Sequence, residues 1–284
     1  MSRFLVILLS LCAAASAQST AGWKLVWSDE FNGPSGSPPD PAKWNYDLGG
    51  EGWGNYELET YANSTQNAFQ DGKGNLVIRA IRDSAGHYTS ARLQSATPTA
   101  STRTADNRWK YGWIVARIKL PFGKGVWPAF WMLGEDFDTA GWPRCGEIDI
   151  MENFGTFRKS IGRSSASVHG PDAANADYNH NSGIGSSVPL PFGQKVNEDY
   201  HLYGIEWAEN SIRFYVDGTL FHTVTPASLP AGGSWVFNKP FFILLNLAIG
   251  GPNTWGGALG TPDPNAPFAD QDMLVDYVRV YQAK

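Results

Sequence analysis

Glu147-Ile148-Asp149-Ile150-Met151-Glu152 decides how this chain is read. Acidic and apolar residues alternate over its first four positions, as on a strand with one buried and one open face. Glu147 and Asp149 therefore point the same way. Strict alternation would send Glu152 to the opposite face and bring Met151 beside the two acids. That arrangement buries a carboxylate and exposes a thioether, and a buried carboxylate is costly unless it is paired. One extra residue in a β-bulge near Ile150-Met151 restores the parity and sets all three acids on one face. Three neighbouring carboxylates repel one another, so they make poor scaffolding and good acid–base chemistry.

Glycoside hydrolysis needs one ionised and one protonated carboxyl flanking the scissile bond. Clustered acids supply this, because their mutual field holds a proton on one of them. A hard-metal site is the competing use of three carboxylates, but calcium loops place their acids on turns rich in Asp, Asn and Gly. With the bulge, the Cα atoms of Glu147 and Glu152 fall about 13 Å apart. Retaining glycosidases hold their carboxyl groups at about 5–5.5 Å and inverting ones at about 6.5–9.5 Å, and the spacing alone leaves both outcomes open.

The stretch just before the acids is Val126-Trp127-Pro128-Ala129-Phe130-Trp131-Met132. Its rings do not share one parity, so both faces of that strand carry aromatics. Trp109, Trp113 and Trp142 add more. The chain holds twelve Trp, more than a core requires, and aromatic rings bind the C–H faces of sugars at low entropic cost. For any single Trp, packing between sheets is an equally good account. His169-Gly170-Pro171 ends a strand; an isolated His is more often structural, though this one can donate to a sugar hydroxyl. Asp29-Glu30 near the start and Asp276 near the end meet if the terminal strands pair, which would suit a structural calcium, while solvated acids are the plainer reading. No HExxH, paired CxxC, GxSxG or phosphate-cradling glycine motif is present, so no catalytic cofactor is expected.

The remainder of the chain supports an all-β reading. Strand-like runs recur at Lys24–Ser28, Leu76–Arg82, Trp113–Lys119, Ala129–Leu133, Glu147–Met151, Ser165–His169, His201–Trp207, Ser211–Val216, Phe241–Ile249 and Met273–Tyr281. Turn residues separate them, including Lys73-Gly74-Asn75, Asp217-Gly218 and Gly250-Gly251. Eleven Tyr, 31 Gly and 18 Pro fit strands joined by turns. Long amphipathic helices are missing; short turns are expected near Pro41–Trp44 and Pro226–Leu229. Two packed sheets in one domain are the simplest arrangement. Residues 34–41 read as a surface loop, and residues 171–199 as a long surface excursion.

The first residues read as a secretory signal, with Arg3 as the positive start, Phe4 to Ala15 as the apolar run and Ala15-Ser16-Ala17 as the cleavage site. A lipoprotein reading through Cys12 is weaker, because Leu11 is bulky where a small residue is expected. Cleavage after Ala17 leaves about 267 residues, 18–284, as one domain large enough to stand on its core. Only Cys145 then remains, so no internal disulfide forms. Loss of Arg3 takes the formal charge from -5 to about -6, which argues against nucleic acid or anionic lipid as partner and favours a neutral ligand. The expected protein is secreted, monomeric and free of the membrane once the signal is removed.

GEIDIMEN, from Gly146 to Asn153, resembles glycoside hydrolase family 16, in particular its bacterial laminarinase-like endo-β-1,3-glucanases. The likeness continues through WSDEFNG from Trp27, GNYELETY from Gly54, YTSARL from Tyr88 and YGWIVARIKLPFGKGVWPAFWML from Tyr111. It extends through SVHGP from Ser167, YHLYGIEW from Tyr200, IRFYVDG from Ile212 and NLAIGG from Asn246. The resemblance implies a β-jelly-roll sandwich of two curved antiparallel sheets with an open concave substrate cleft. It implies cleavage of β-1,3-glucan, with tolerance for mixed-linked glucan, by a retaining mechanism. Glu147 would be the nucleophile, Glu152 the acid/base and Asp149 the residue that tunes the nucleophile. Asn55, Trp109, Trp127, Trp131 and His169 match cleft-lining positions, and Glu30, the Gly74 carbonyl and Asp276 match a frequent structural calcium site. The bulged ExDxxE spacing matches laminarinases rather than the shorter ExDxE of many lichenases. Trp113 stands where Arg is common, Glu59 stands where Gln is frequent, and residues 154–166 diverge in spacing.

Overall fold

The computed structural model describes residues 22–96, 105–155, 160–174, 176–177 and 184–284. The expected signal segment lies outside these residues, as do parts of the divergent stretch 154–166 and of the excursion 171–199. Among the described residues the chain forms two sheets, one of ten strands and one of seven. Every pairing is antiparallel except that between Glu59–Tyr61 and Tyr88–Ser90.

The seven-stranded sheet carries the acids. Its order across is Ser186–Pro189, Arg163–His169, Glu147–Glu152, Val126–Gly134, Phe241–Ile249, Arg92–Gln94 and Asn45–Tyr46. The larger sheet is built around Gly112–Lys119 and the long strand Gln271–Ala283, which also pairs with Trp23–Asp29. Most strands expected from apolar alternation are present within two or three residues of their expected ends. Leu76–Arg82, Ser211–Val216 and Phe241–Ile249 match at both ends. Several two- and three-residue strands, together with Thr219–Val224, carry too little periodicity to have been expected. The turn near Pro226 is a short 3-10 helix, Pro226–Ser228, whereas Pro41–Trp44 holds only hydrogen-bonded turns.

The core lies between the sheets. Phe130, Met132, Ile148, Ile243 and Leu245 supply it from the acid sheet, and Ile114, Ala116, Ile205, Val278 and Val280 from the other. A smaller apolar cluster sits on the acid-bearing face, where Leu133, Phe242, Leu244, Ala96 and Cys145 pack beside Trp131. Cys145 is a buried free thiol, pushed up to about 12 by burial and by Glu147. At that value it is a small apolar residue rather than a nucleophile. Gly146 follows with a φ of 78°, a left-handed turn that glycine makes without strain and that leads the chain into Glu147.

The bulge is present. Against Val126–Gly134, Glu147 faces Leu133 and Asp149 faces Trp131; the register then slips, so that Met151 faces Phe130 and Glu152 faces Ala129. Against the strand on the other side, Glu147, Asp149 and Glu152 face His169, Ser167 and Ser165. Leu133, Trp131 and Ala129 alternate regularly and share one face, so the three acids share it as well. Ile150 and Met151, 1% and 0% exposed, both enter the core. Burial of a large apolar side chain contributes about 1.5–3 kcal/mol, so the extra residue adds core as well as turning Glu152 outward.

Candidate active site

Three rows of side chains cross the acid face, following the strand register. The first runs His169, Glu147, Leu133, Phe242. The second runs Ser167, Asp149, Trp131, Leu244, Gln94, and the third Ser165, Glu152, Ala129, Asn246, Arg92. The acids thus have a serine- and histidine-bearing strand on one side and an aromatic and amide-bearing pair of strands on the other.

Each acid has a different set of partners. Asp149 is 3% exposed and accepts from Ser167 Oγ at 2.5 Å; His169 Nε2 lies 3.2 Å from the same Oδ2. Glu147 accepts from the exposed Trp142 Nε1 at 3.0 Å, and its Oε1 lies 3.8 Å from His169 Nε2. Glu152 accepts from Trp127 Nε1 at 2.9 Å. Trp127 in turn meets Trp255, with ring centroids 4.5 Å apart, and Phe154 packs on Trp255 at 4.6 Å. Beyond Glu152 is an open pocket of about 320 Å³ lined by Glu152, Phe154, Ser165, Ser167, Ser186 and Ser187.

His169 is the cation of the site. Its Nδ1 lies 2.8 Å from Asp177 Oδ2 while Nε2 faces Asp149. A carboxylate at each ring nitrogen requires a proton on each, which makes the ring an imidazolium. Burial opposes that charge, but Glu147, Asp149 and Asp177 together hold the pKa well above the usual histidine value. Oxygens of Glu147 and Asp149 and a nitrogen of His169 lie within 4.8 Å of one another, a grouping that would also surround a cation; here His169 supplies the positive charge itself.

Burial, and then the charge of Asp149, push Glu152 up to about 8. The same two causes push Glu147 well above the carboxylate range, against the opposing pull of His169. The two carboxyls do not titrate independently, so their first proton belongs to the cluster. Glu147 has the imidazolium and an indole N–H beside it, which favour its anion, and Asp149 within hydrogen-bond reach, which favours its protonated form. Glu152 has one indole N–H and the pull of His169. The proton is therefore shared within the cluster of acids.

The structure brings Trp127, Trp131 and His169 to the acids. Trp131 Nε1 donates to Asn246 Oδ1 at 2.7 Å, and its ring carries the Arg92 guanidinium 4.7 Å from its centroid. Asn55 follows a short 3-10 turn, donates to Glu57 at 2.8 Å, and is linked to Asn246 through Glu57 and Tyr61. Among the described residues no contact brings Trp109 to the acids; it packs against the main core with its ring 5.0 Å from Trp27. Trp113 belongs to the other sheet, where it is 7% exposed and meets Tyr215 edge-on. Ser167, Asp177, Arg92 and Asn246 were not expected from sequence. They reach the site through strand register or a loop, and nothing local marks them.

At the calcium positions, Glu30 is held by both Nε and Nη2 of Arg279, at 2.9 and 2.7 Å. Asp276 Oδ2 accepts from Arg117 at 2.7 Å. Both carboxylates therefore already have counter-charges. Among the described residues no contact joins Gly74 to either carboxylate, and a hard cation would compete with the two arginines for them.

Residues 59–266 match the family described as glycosyl hydrolases family 16. The chain belongs to glycosyl hydrolase family 16. This family 16 glycosidase is 38% identical to a beta-glucanase of Rhodothermus marinus over 96% of its own length and 90% of the relative's. It is 39% identical to glucan endo-1,3-beta-glucosidase A1 of Niallia circulans over 92% of its own length, but spans only 38% of that longer protein. The laminarinase catalytic domain of Thermotoga maritima superposes with a TM-score of 0.73 at 39% identity, covering 92% of this chain and 99% of that domain. The family 16 jelly roll therefore accounts for the two sheets, and the acids stand on its seven-stranded sheet.

Proposed function

We propose that the protein is a secreted endo-β-1,3-glucanase that also accepts mixed-linked β-1,3-1,4-glucan and acts with retention of configuration. The observation that carries this is the bulged register, which aligns three acids whose partners differ. Glu147, beside the imidazolium, attacks the anomeric carbon. The glycosidic bond breaks as Glu152 gives its proton to the leaving oxygen, which leaves a glycosyl ester on Glu147. Glu152 then takes a proton from water, the water oxygen attacks the same carbon, and Glu147 departs as carboxylate. Asp149, anchored by Ser167 and His169, lies within hydrogen-bond reach of the nucleophile and orients it. Polar groups on both sides of the acid strand support binding in the middle of a chain rather than at its end. The relatives' named activities support glucan as the substrate.

Release of reducing ends from laminarin, curdlan, barley β-glucan, agarose and carrageenan tests the assignment. Hydrolysis of the first three is expected, and activity confined to a galactan would reject it. Glu147→Gln and Glu152→Gln lower turnover by about 10³-fold or more while glucan binding persists. Binding without turnover in the parent protein would make it a glucan-recognition protein instead.

The calcium reading belongs to the same proposal in a limited form. Because Arg279 and Arg117 already balance Glu30 and Asp276, the ion adds stability and has no part in turnover. Chelation lowers the Tm by a few degrees at most and leaves kcat unchanged. Residues 18–284 act as one monomeric catalytic domain, which the elution volume of the mature protein checks.

A further inference from the structure

A second carboxyl pair lies off the acid strand, in the segment that runs beside the end of Phe241–Ile249. Glu57 bridges to Gly250, and the Leu58 N–H donates to the Ile249 carbonyl at 2.8 Å. Glu59 is 0% exposed. Its Oε2 accepts from the Ile249 N–H at 2.6 Å, while its buried Oε1 meets no donor. The side chain within hydrogen-bond reach of Glu59 is another carboxylate, Glu57. An ionised Glu59 would therefore be buried, half unsatisfied and pressed against a like charge. A proton on Glu59 cures each fault, because its O–H then donates to Glu57.

Glu57 is in turn the end of a hydrogen-bond chain. It accepts from Asn55 Nδ2 at 2.8 Å and from Tyr61 Oη at 3.4 Å. Tyr61 Oη accepts from Asn246 Nδ2 at 2.9 Å, and Asn246 accepts from Trp131. Trp131 sits opposite Asp149. The chain thus runs from the buried acid to the row that holds the middle acid of the site.

We propose that Glu59 is a positioning residue held as a neutral carboxylic acid, which orients Glu57 and through it the Asn55, Tyr61, Asn246 and Trp131 side chains for binding sugar hydroxyls. Only the identity of the ligand rests on the glucan reading; the buried proton does not. The groups facing Glu59 are consistent with neutrality. Glu57 and Tyr61 flank it in its own segment, and Tyr88 pairs with it across the neighbouring strand. Strand Phe241–Ile249 presents the Ile249 N–H and the Asn246 amide, neither of which titrates. Arg92 acts on Tyr61. Burial first, and then the Glu57 charge, hold the Glu59 pKa well above the carboxylate range.

The sign follows. The unfolded chain releases this proton near the ordinary Glu pKa, and the folded chain holds it to higher pH. Stability from Glu59 is therefore full below about pH 4.5 and is lost as pH rises toward the folded pKa. Glutamine has no proton to lose. Thermal melts of parent, Glu59→Gln and Glu59→Ala proteins from about pH 5 to about pH 9 are expected to show Glu59→Gln gaining Tm over the parent steadily as pH rises. Calorimetric binding of laminari-oligosaccharides is measured alongside, in a Glu147→Gln background. Glu59→Ala is expected to weaken binding by about 10-fold, Glu59→Gln to restore most of that loss, and only the Glu59 protein to lose affinity toward alkaline pH. A Tm deficit of Glu59→Gln that is the same at every pH would overturn the proposal, as would parent-like binding by Glu59→Ala. If no variant binds the oligosaccharides yet the pH-dependent Tm gain appears, the neutral acid stands and the glucan assignment falls.

Discussion

Asp177 Oδ2 lies 2.8 Å from Nδ1 of His169, the ring nitrogen that does not face Asp149. This contact keeps a positive charge beside a cluster of three acids. Its loss removes a charge-assisted hydrogen bond, worth about 1.5–3 kcal/mol. Asp177→Asn is therefore expected to lower kcat/KM about 10- to 100-fold. It also makes His169 easier to deprotonate, which raises the pKa of Glu147. The acidic limb of the rate profile, which reports ionisation of Glu147, should move to higher pH. A pH–rate profile of the variant checks both; an unmoved acidic limb would show that Asp177 only holds the loop.

The alkaline limb belongs to Glu152. It must be protonated to act as acid, so activity falls as pH rises through about 8. The Trp127 N–H favours the Glu152 carboxylate and pulls its pKa down. Trp127→Phe keeps an aromatic ring and removes the donor, so the limb should shift upward in pH. A downward shift in the kcat/KM profile would contradict this role for the indole.

The bulge is open to a direct test. Deletion of Met151 removes the bulge, and strict alternation then keeps Glu147, Asp149 and Glu152 on one face in the shorter ExDxE spacing. It also takes a buried apolar side chain out of the core, an expected loss of about 2–5 kcal/mol. The deletion is therefore expected to lower the Tm while leaving measurable turnover; loss of all turnover in protein that still folds would show that the acids need the bulged spacing. Met151→Leu, similar in volume and keeping the count, should cost less than about 1.5 kcal/mol. Thermal melts and laminarin turnover of the pair measure the difference.

Asn246 joins Trp131 to Tyr61 and is 6% exposed. Asn246→Ala strands the Trp131 N–H, an expected loss of about 1–3 kcal/mol. The loss should appear mainly in KM, because Asn246 does not touch the reacting carboxyls. Steady-state kinetics on laminari-oligosaccharides distinguish this from a loss in kcat.

Local pattern carried much of this site into the sequence. The parity conflict between Asp149 and Glu152 was legible because a carboxylate and a methionine cannot exchange environments cheaply, and the register slip after Asp149 resolves it in the expected place. The aromatic strand was legible in the same way, with Trp127 and Trp131 outward and Phe130 inward. What stayed hidden depends on contacts distant in sequence. Ser167 and Asn246 are polar residues in apolar strands whose facing acids and amides are set by pairing. Asp177 lies in a loop with no periodicity. Trp109 and Trp113 show the converse limit, since a tryptophan near the acids in sequence packs equally well between sheets or against another strand. Glu59 looks like a surface acid in a polar turn, and only the approach of Ile249 reveals that it is enclosed.

The central claim is that Glu147 and Glu152 act as nucleophile and acid/base on β-1,3-glucan. Following the anomeric protons by NMR from the first moments of laminarin hydrolysis tests it most directly, because linkage and stereochemistry are read together. The account predicts new reducing ends that appear first as the β-anomer and only later mutarotate. Initial appearance of the α-anomer would mean single displacement by water, and would contradict the nucleophilic role of Glu147.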